Sequence, residues 1–211
     1  MALRDRIPAD LFSQIEQHLN NICRANAKSS WRRNKAKEDS ISGAFFQGIA
    51  VAERSWEDWS WNLEYSNLSN HKIEPHLGAD GIFQIEIRDE RGRVIFRKGF
   101  LYQSKKQGNS DKRRLEEQLE NIERHVPNGG LLLTYDEDRF MAVPGRIYLN
   151  DKNWENQERN ICAFLVQRFL ECLFGIRDLY YNFDREEIML ENAPLPIVPK
   201  AVASINIKKN D

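Results

Sequence analysis

Asp80, Gln103 and Lys105 are the residues whose types and spacing are best suited to chemistry. Asp80 stands in Gly78-Ala79-Asp80-Gly81, at the head of one apolar run. Gln103 and Lys105 stand in Tyr102-Gln103-Ser104-Lys105-Lys106, at the end of the next. Both runs read as β-strands, and the short segment Asp89-Glu90-Arg91-Gly92 reads as the turn between them. Pairing of the two strands would set an acid beside a Gln-x-Lys. A carboxylate, an amide oxygen and an ammonium together suit the holding of a hard divalent cation and the alignment of a water against a phosphate.

The elements that must position these residues follow from periodicity. Leu11, Ile15, Leu19 and Ile22 make one apolar stripe, which predicts a helix over 8–26, and a polar, basic link from Ala27 to Lys37 follows. A second helix is expected from Glu38 or Asp39, with Ile41, Phe45, Ile49 and Ala52 on one face. In its first turn these acids favour the positive end of the helix dipole. Trp59, Trp61, Leu63 and Tyr65 alternate with polar residues and predict a strand. The next strand covers 81–88, with Phe83, Ile85 and Ile87 on one face and Asp80, Ile82, Gln84 and Glu86 on the other. The third runs from Val94 to Lys105, with Gln103 and Lys105 on a common face. A helix over 110–126, a strand Leu131–Tyr135, its hairpin return at 139–143 and a long helix over 154–174 complete the pattern. The segment from Ala193 onward, rich in Pro and then Lys, reads as loop.

Composition limits the classes of function. A chain of 211 residues, 41% hydrophobic and 30% charged, is expected to fold around a sizeable core rather than remain disordered. No apolar run reaches the ~18 residues of a membrane span, and the first residues lack the apolar stretch of a secretory signal. The three cysteines, Cys23, Cys162 and Cys172, read as buried free thiols, which implies a reducing, cytoplasmic compartment. The net charge of −1 does not by itself point to nucleic acid. The basic residues are nevertheless clustered, one group at Arg32, Arg33, Lys35 and Lys37 and another at Lys105, Lys106, Lys112, Arg113 and Arg114. Phosphate contact depends on local charge.

The order helix, three antiparallel strands, helix, strand, with Asp80 on the second strand and Gln103-Ser104-Lys105 on the third, resembles the PD-(D/E)XK nuclease superfamily. Within it, the Gln-x-Lys form is similar to that of Mrr-type restriction enzymes and related prokaryotic defence nucleases. The resemblance spans about 38–135. It implies an α/β, restriction-endonuclease-like core over 38–150, with an extra N-terminal helix and basic link over 1–37, a C-terminal helical region over 151–192 and a tail over 193–211. It also implies a Mg²⁺- or Mn²⁺-dependent endonuclease acting on DNA, in defence or restriction. In this reading Asp80 and the Gln103 amide bind the metal, the Ser104 carbonyl gives a third ligand, and Lys105 orients water and offsets charge on the phosphate. Glu38 matches the family's helix acid, with Asp39 adjacent. Because Gln103 is neutral, a further carboxylate is wanted, and Glu74 is the local candidate. Glu86 would lie about 20 Å along the strand at ~3.3 Å per residue. Lys106, Lys112, Arg113 and Arg114 are the expected nucleic-acid contacts. A homodimer, or a partner subunit supplying target recognition, fits the same setting, as does a nuclease-fold module that binds without cutting. DNA versus RNA, and duplex versus single strand, stay open.

Other constellations are weaker. His71 and His76 have no matching pair of ligands for zinc. No Walker loop or nucleophile elbow is present in the sequence. The cluster Trp56, Trp59 and Trp61 reads as core rather than as a base-stacking platform.

Overall fold

A computed structural model describes residues 3–34, 38–68, 78–108, 111–137 and 139–210. In chain order the elements are α1 (Ala9–Asn34), α2 (Glu38–Ile49), β1 (Val51–Trp56), β2 (Trp59–Asn67), β3 (Gly78–Ala79), β4 (Gly81–Arg88), β5 (Val94–Lys106), α3 (Lys112–His125), β6 (Gly130–Tyr135), β7 (Phe140–Pro144) and α4 (Gly145–Asn150). There follow β8 (Arg159–Asn160), α5 (Ile161–Phe164) running into a π-helical turn at Leu165–Leu170, β9 (Ile176–Arg177), β10 (Leu179–Asn182), β11 (Glu187–Leu190), β12 (Ala193–Pro194), β13 (Val198–Pro199) and β14 (Ala201–Lys209). The protein is thus mixed α/β. Among the described residues no helix is long and apolar enough to cross a membrane.

The main sheet has nine strands in the order β1-β2-β14-β4-β5-β6-β7-β8, with β9 also paired to β5. β4 and β5 are antiparallel, with Gly81 opposite Tyr102, and β5 and β6 are parallel and joined through α3. Period-two alternation sorts the sheet's side chains into two cores. Phe83, Ile85, Phe100 and Tyr102 face α1, α2 and the α5 segment, where they meet Leu11, Phe45, Phe46 and Phe169. Ile82 and Leu101 face the other way, against Ile122 and Val126 of α3 and against Leu179 and Tyr181 of β10. Gln84, buried on that second face, accepts the Tyr181 N–H at 2.7 Å, so its amide oxygen is not left dry and unpaired.

The tryptophan stripe is core, as expected: Trp59 and Trp61 are buried and Trp56 packs against them from the margin. Several expectations are corrected. Residues 201–209 are not loop but β14, which lies between β2 and β4, antiparallel to the first and parallel to the second. The three strands β2, β4 and β5 therefore do not form an uninterrupted antiparallel meander. The alternation of Ala203, Ile205 and Ile207 with Val202, Ser204 and Asn206 carries this strand, and the prolines before it mask it. The helix expected over 154–174 begins only at Ile161, because the Asn160 side chain accepts the Cys162 N–H and caps that position. It stops where Cys172 and Gly175 take left-handed backbone conformations. Helix α1 instead continues through the expected basic link to Asn34.

Cys23 and Cys162 are not free. They form a disulfide between α1 and α5 across a sequence separation of 139 residues, with their Cα atoms 5.6 Å apart. Only Cys172 is a free thiol among the described residues. With Cys23 and Cys162 bridged, the cysteines no longer imply a reducing compartment.

Candidate functional site

The site is built where the chain breaks step between β3 and β4. Gly78 and Ala79 pair in parallel with Val198 and Pro199 of β13, and Asp80 occupies the bend before β4 begins. A Cβ on Gly81 would sit 2.3 Å from the Tyr102 hydroxyl oxygen, so only glycine lets the bend lie against that ring. The Asp80 N–H donates to the Tyr102 carbonyl at 3.0 Å, which carries the β4–β5 ladder one residue past the strand.

The Asp80 carboxylate then takes three donors. Its Oδ2 accepts both the backbone N–H and the hydroxyl of Ser104, each at 2.8 Å. Its Oδ1 accepts the Lys200 ammonium at 2.8 Å. The Asp80 side chain is 10% exposed and that of Lys200 50%. A carboxylate this buried is costly unless it is paired and hydrogen-bonded, and here it is both. The Ser42 hydroxyl of α2 lies 3.4 Å from the Ser104 hydroxyl, tying the corner to the helical layer. The Tyr102 phenol lies beneath. Burial pushes its pKa well above the ordinary phenol range, and Tyr65, Asp80 and Tyr135 push it further.

The structure does not gather the other expected site residues at this corner. Leu101 packs toward α3 and Tyr102 toward α2, so strand alternation puts Gln103 and Lys105 on the α3 side. Gln103 is 1% exposed. Lys105 opens onto a hollow of about 310 Å³ between β5, β6, α3 and the Tyr148–Trp154 segment. Lys106 lines the same hollow, and its ammonium lies 5.0 Å from the centre of the Trp31 ring. Lys112 also lines the hollow and lies 3.7 Å from Glu116. Arg113 is turned to solvent and paired with Glu117 at 3.0 Å. The Arg114 N–H is capped by Asp111. Glu38 is the first residue of α2, but its side chain, that of Asp39, and the side chains of Arg32 and Arg33 lie outside what is described, as do Lys35 and Lys37. Glu74, His71 and His76 also lie outside the described residues.

One participant enters by other atoms than expected, and another is not announced by the sequence. Ser104 was expected to offer its carbonyl to a metal; it meets Asp80 through its N–H and hydroxyl. Lys200 was not anticipated at all. It reaches Asp80 only because β14 pairs in parallel with β4, Val202 beside Ile82, which extends to Lys200 beside Asp80. No local pattern around Lys200 could have announced this.

Whether these residues suit a divalent cation turns on the donor set. Among the described residues no group of three or more His, Cys, Asp or Glu side chains converges. Asp80 nevertheless already holds a cation at Oδ1, the ammonium of a half-exposed lysine. Mg²⁺ commonly keeps several waters and takes only one or two carboxylates plus substrate phosphate oxygens. A single buried carboxylate facing an exchangeable ammonium fits an ion held in that way. No family model, no curated protein and no solved structure matches this chain.

Proposed function

We propose that the chain is a metal-dependent nuclease of the PD-(D/E)XK kind, hydrolysing phosphodiester bonds in DNA, with prokaryotic defence as the setting that the resemblance implies. One observation carries the reading: the Asp80 carboxylate bonds directly to Ser104, the residue between Gln103 and Lys105. The succession β4, β5, α3, β6, with the last pair parallel, agrees with such a core, although β14 separates β4 from β2. Asp80 would hold Mg²⁺ or Mn²⁺, with waters and substrate phosphate oxygens completing the shell. When bound, the metal supplies Lewis-acid polarisation of the phosphate and a more acidic water. Lys105 places an ammonium where negative charge accumulates on the phosphate in the transition state. Ser104 holds the Asp80 carboxylate in one orientation.

The test is incubation with plasmid and single-stranded DNA, with and without Mg²⁺ or Mn²⁺, for the natural chain and for Asp80→Asn. Metal-dependent cleavage lost in the variant is expected; no cleavage under any of these conditions would overturn the reading.

The Lys200–Asp80 ion pair favours a second reading, a nuclease-fold module that binds nucleic acid or a partner subunit without cutting. An ammonium in permanent possession of Oδ1 would exclude a metal. Titration with Mn²⁺ decides between the two. If Lys200 is only a competitor, Lys200→Ala tightens metal binding; if neither form binds Mn²⁺, the non-cleaving module stands.

A further inference from the structure

We propose that the hollow beside Lys105 receives an unpaired nucleotide of the bound strand, which makes single-stranded nucleic acid the preferred substrate class. The inference rests on the nuclease reading for its biological role, but not for its geometry.

The hollow, about 310 Å³, lies at the small end of ligand-sized pockets. Its lining is chemically mixed. Lys105 and Lys112 supply positive charge from the end of β5 and the start of α3, while the Lys106 ammonium is turned to Trp31. Tyr148 and Trp154 also line it, their rings meeting edge to face with centroids 5.0 Å apart. Both aromatic residues pack against the cluster of Leu115, Leu119, Leu132 and Val143, so their positions cost little further ordering when a ligand arrives. Cations and held aromatic rings lining one hollow match a phosphate joined to a base. Any base presents a π-face, so such a lining accepts nucleotides regardless of sequence.

The acids at the rim narrow the choice. Asp111 and Glu155 also line the hollow. A compact polyphosphate would meet both carboxylates and be repelled. A nucleotide brings one diester charge for the lysines and a neutral base, whose amino or imino groups can donate to a carboxylate. A base still paired in a duplex keeps its edge engaged and cannot turn into a recess of this size.

Binding is measured by fluorescence anisotropy in EDTA, where cleavage is absent, using a labelled oligothymidylate and a labelled duplex of equal length. Trp154→Ala is expected to weaken oligothymidylate binding roughly 5- to 150-fold, following the 1–3 kcal/mol of one base–aromatic stack, while duplex binding changes less than twofold. Trp154→Phe should restore most of the loss. Because Trp154→Ala also removes packing, a second readout uses the natural chain. Oligothymidylate should quench tryptophan emission by an amount that disappears in Trp154→Phe. Equal weakening for both nucleic acids, or quenching unchanged by Trp154→Phe, overturns the proposal even if metal-dependent cleavage is present. The expected losses in a chain that never cleaves would uphold the hollow and remove the nuclease reading instead.

Discussion

Lys98 and Lys105 lie on the same strand, β5, on opposite faces, and their surroundings differ in every respect that matters for function. Lys98 is 4% exposed. Its ammonium donates to the Phe169 carbonyl and sits 4.1 Å from the centre of the Phe169 ring. Burial lowers its pKa to about 8, partly offset by the nearby Cys172 thiol. Lys105 is at the strand's end, open to a hollow and one residue from the Asp80 contact. Perturbed ionisation often marks functional sites, yet here the strongly perturbed lysine is the one enclosed in an aromatic core. Desolvation moves a pKa wherever it occurs; chemistry also needs room for a substrate.

The sharpest way to break this contrast is to exchange the lysines' fates. Lys105→Ala is expected to reduce metal-dependent DNA cleavage on the order of 100-fold or more, the scale of losing one group aimed at transition-state charge, far more than the weakening of binding in EDTA that loss of one phosphate contact brings. Lys98→Met should leave the cleavage rate within about twofold. Equal losses in the two variants would mean that both lysines act through the fold, and the distinction would collapse.

A smaller effect sharpens the Lys98 side. Below pH 8 this lysine is protonated in both folded and unfolded chains. Between about pH 8 and the ordinary value of 10.5 the folded protein releases the proton while the unfolded chain keeps it. The unfolded state then binds more protons, so stability rises with pH across that window, by up to about 3 kcal/mol. Urea unfolding at pH 7.5, 9 and 10 should show this rise for the natural chain relative to Lys98→Met, which has no such group. A flat difference would show that Lys98 is not desolvated.

The disulfide tests the layer over Lys98, since Cys162 leads into the turn that carries Phe169. Cys23→Ser with Cys162→Ser should lower unfolding free energy by about 2–4 kcal/mol and leave Lys105-dependent cleavage in place at temperatures where the chain is folded. Smallest of all is Arg113→Ala. With a side chain 91% exposed and paired to the exposed Glu117, it should change stability by less than about 0.5 kcal/mol. A large loss of DNA binding in that variant would move the contact surface away from the hollow and onto the outer face of α3.

Much of the strand–strand–helix–strand succession around Lys105 was legible in the sequence, because β4, β5, α3 and β6 obey plain periodicities and end at Gly, Asn or Asp signals. The Asp80 corner was legible only in part. Proximity of Asp80 to the Gln103–Lys105 segment follows from pairing two adjacent runs. The partners of its carboxylate depend on β14, whose Pro-rich approach resembles loop, and on a parallel pairing that no local pattern encodes. The periodicity around Trp154 matches a helix that the Asn160 cap starts only at Ile161, so the sequence does not reveal its place beside the hollow. The Cys23–Cys162 pair is tertiary in the same sense: three cysteines in helical segments do not reveal which two will meet.

The position of β14 also has a consequence for biosynthesis. Residues 201–209 are translated long after β2 and β4, yet they fill the gap between them. As the chain leaves the ribosome, those two strands wait with unpaired edges, the condition that exposes nascent chains to mispairing. The pairing that closes the gap is among the most distant in sequence, so it is expected late in folding. Lys200 arrives with it. A nascent chain therefore carries Asp80 before its ammonium partner exists, and the corner is completed only as the sheet is sealed.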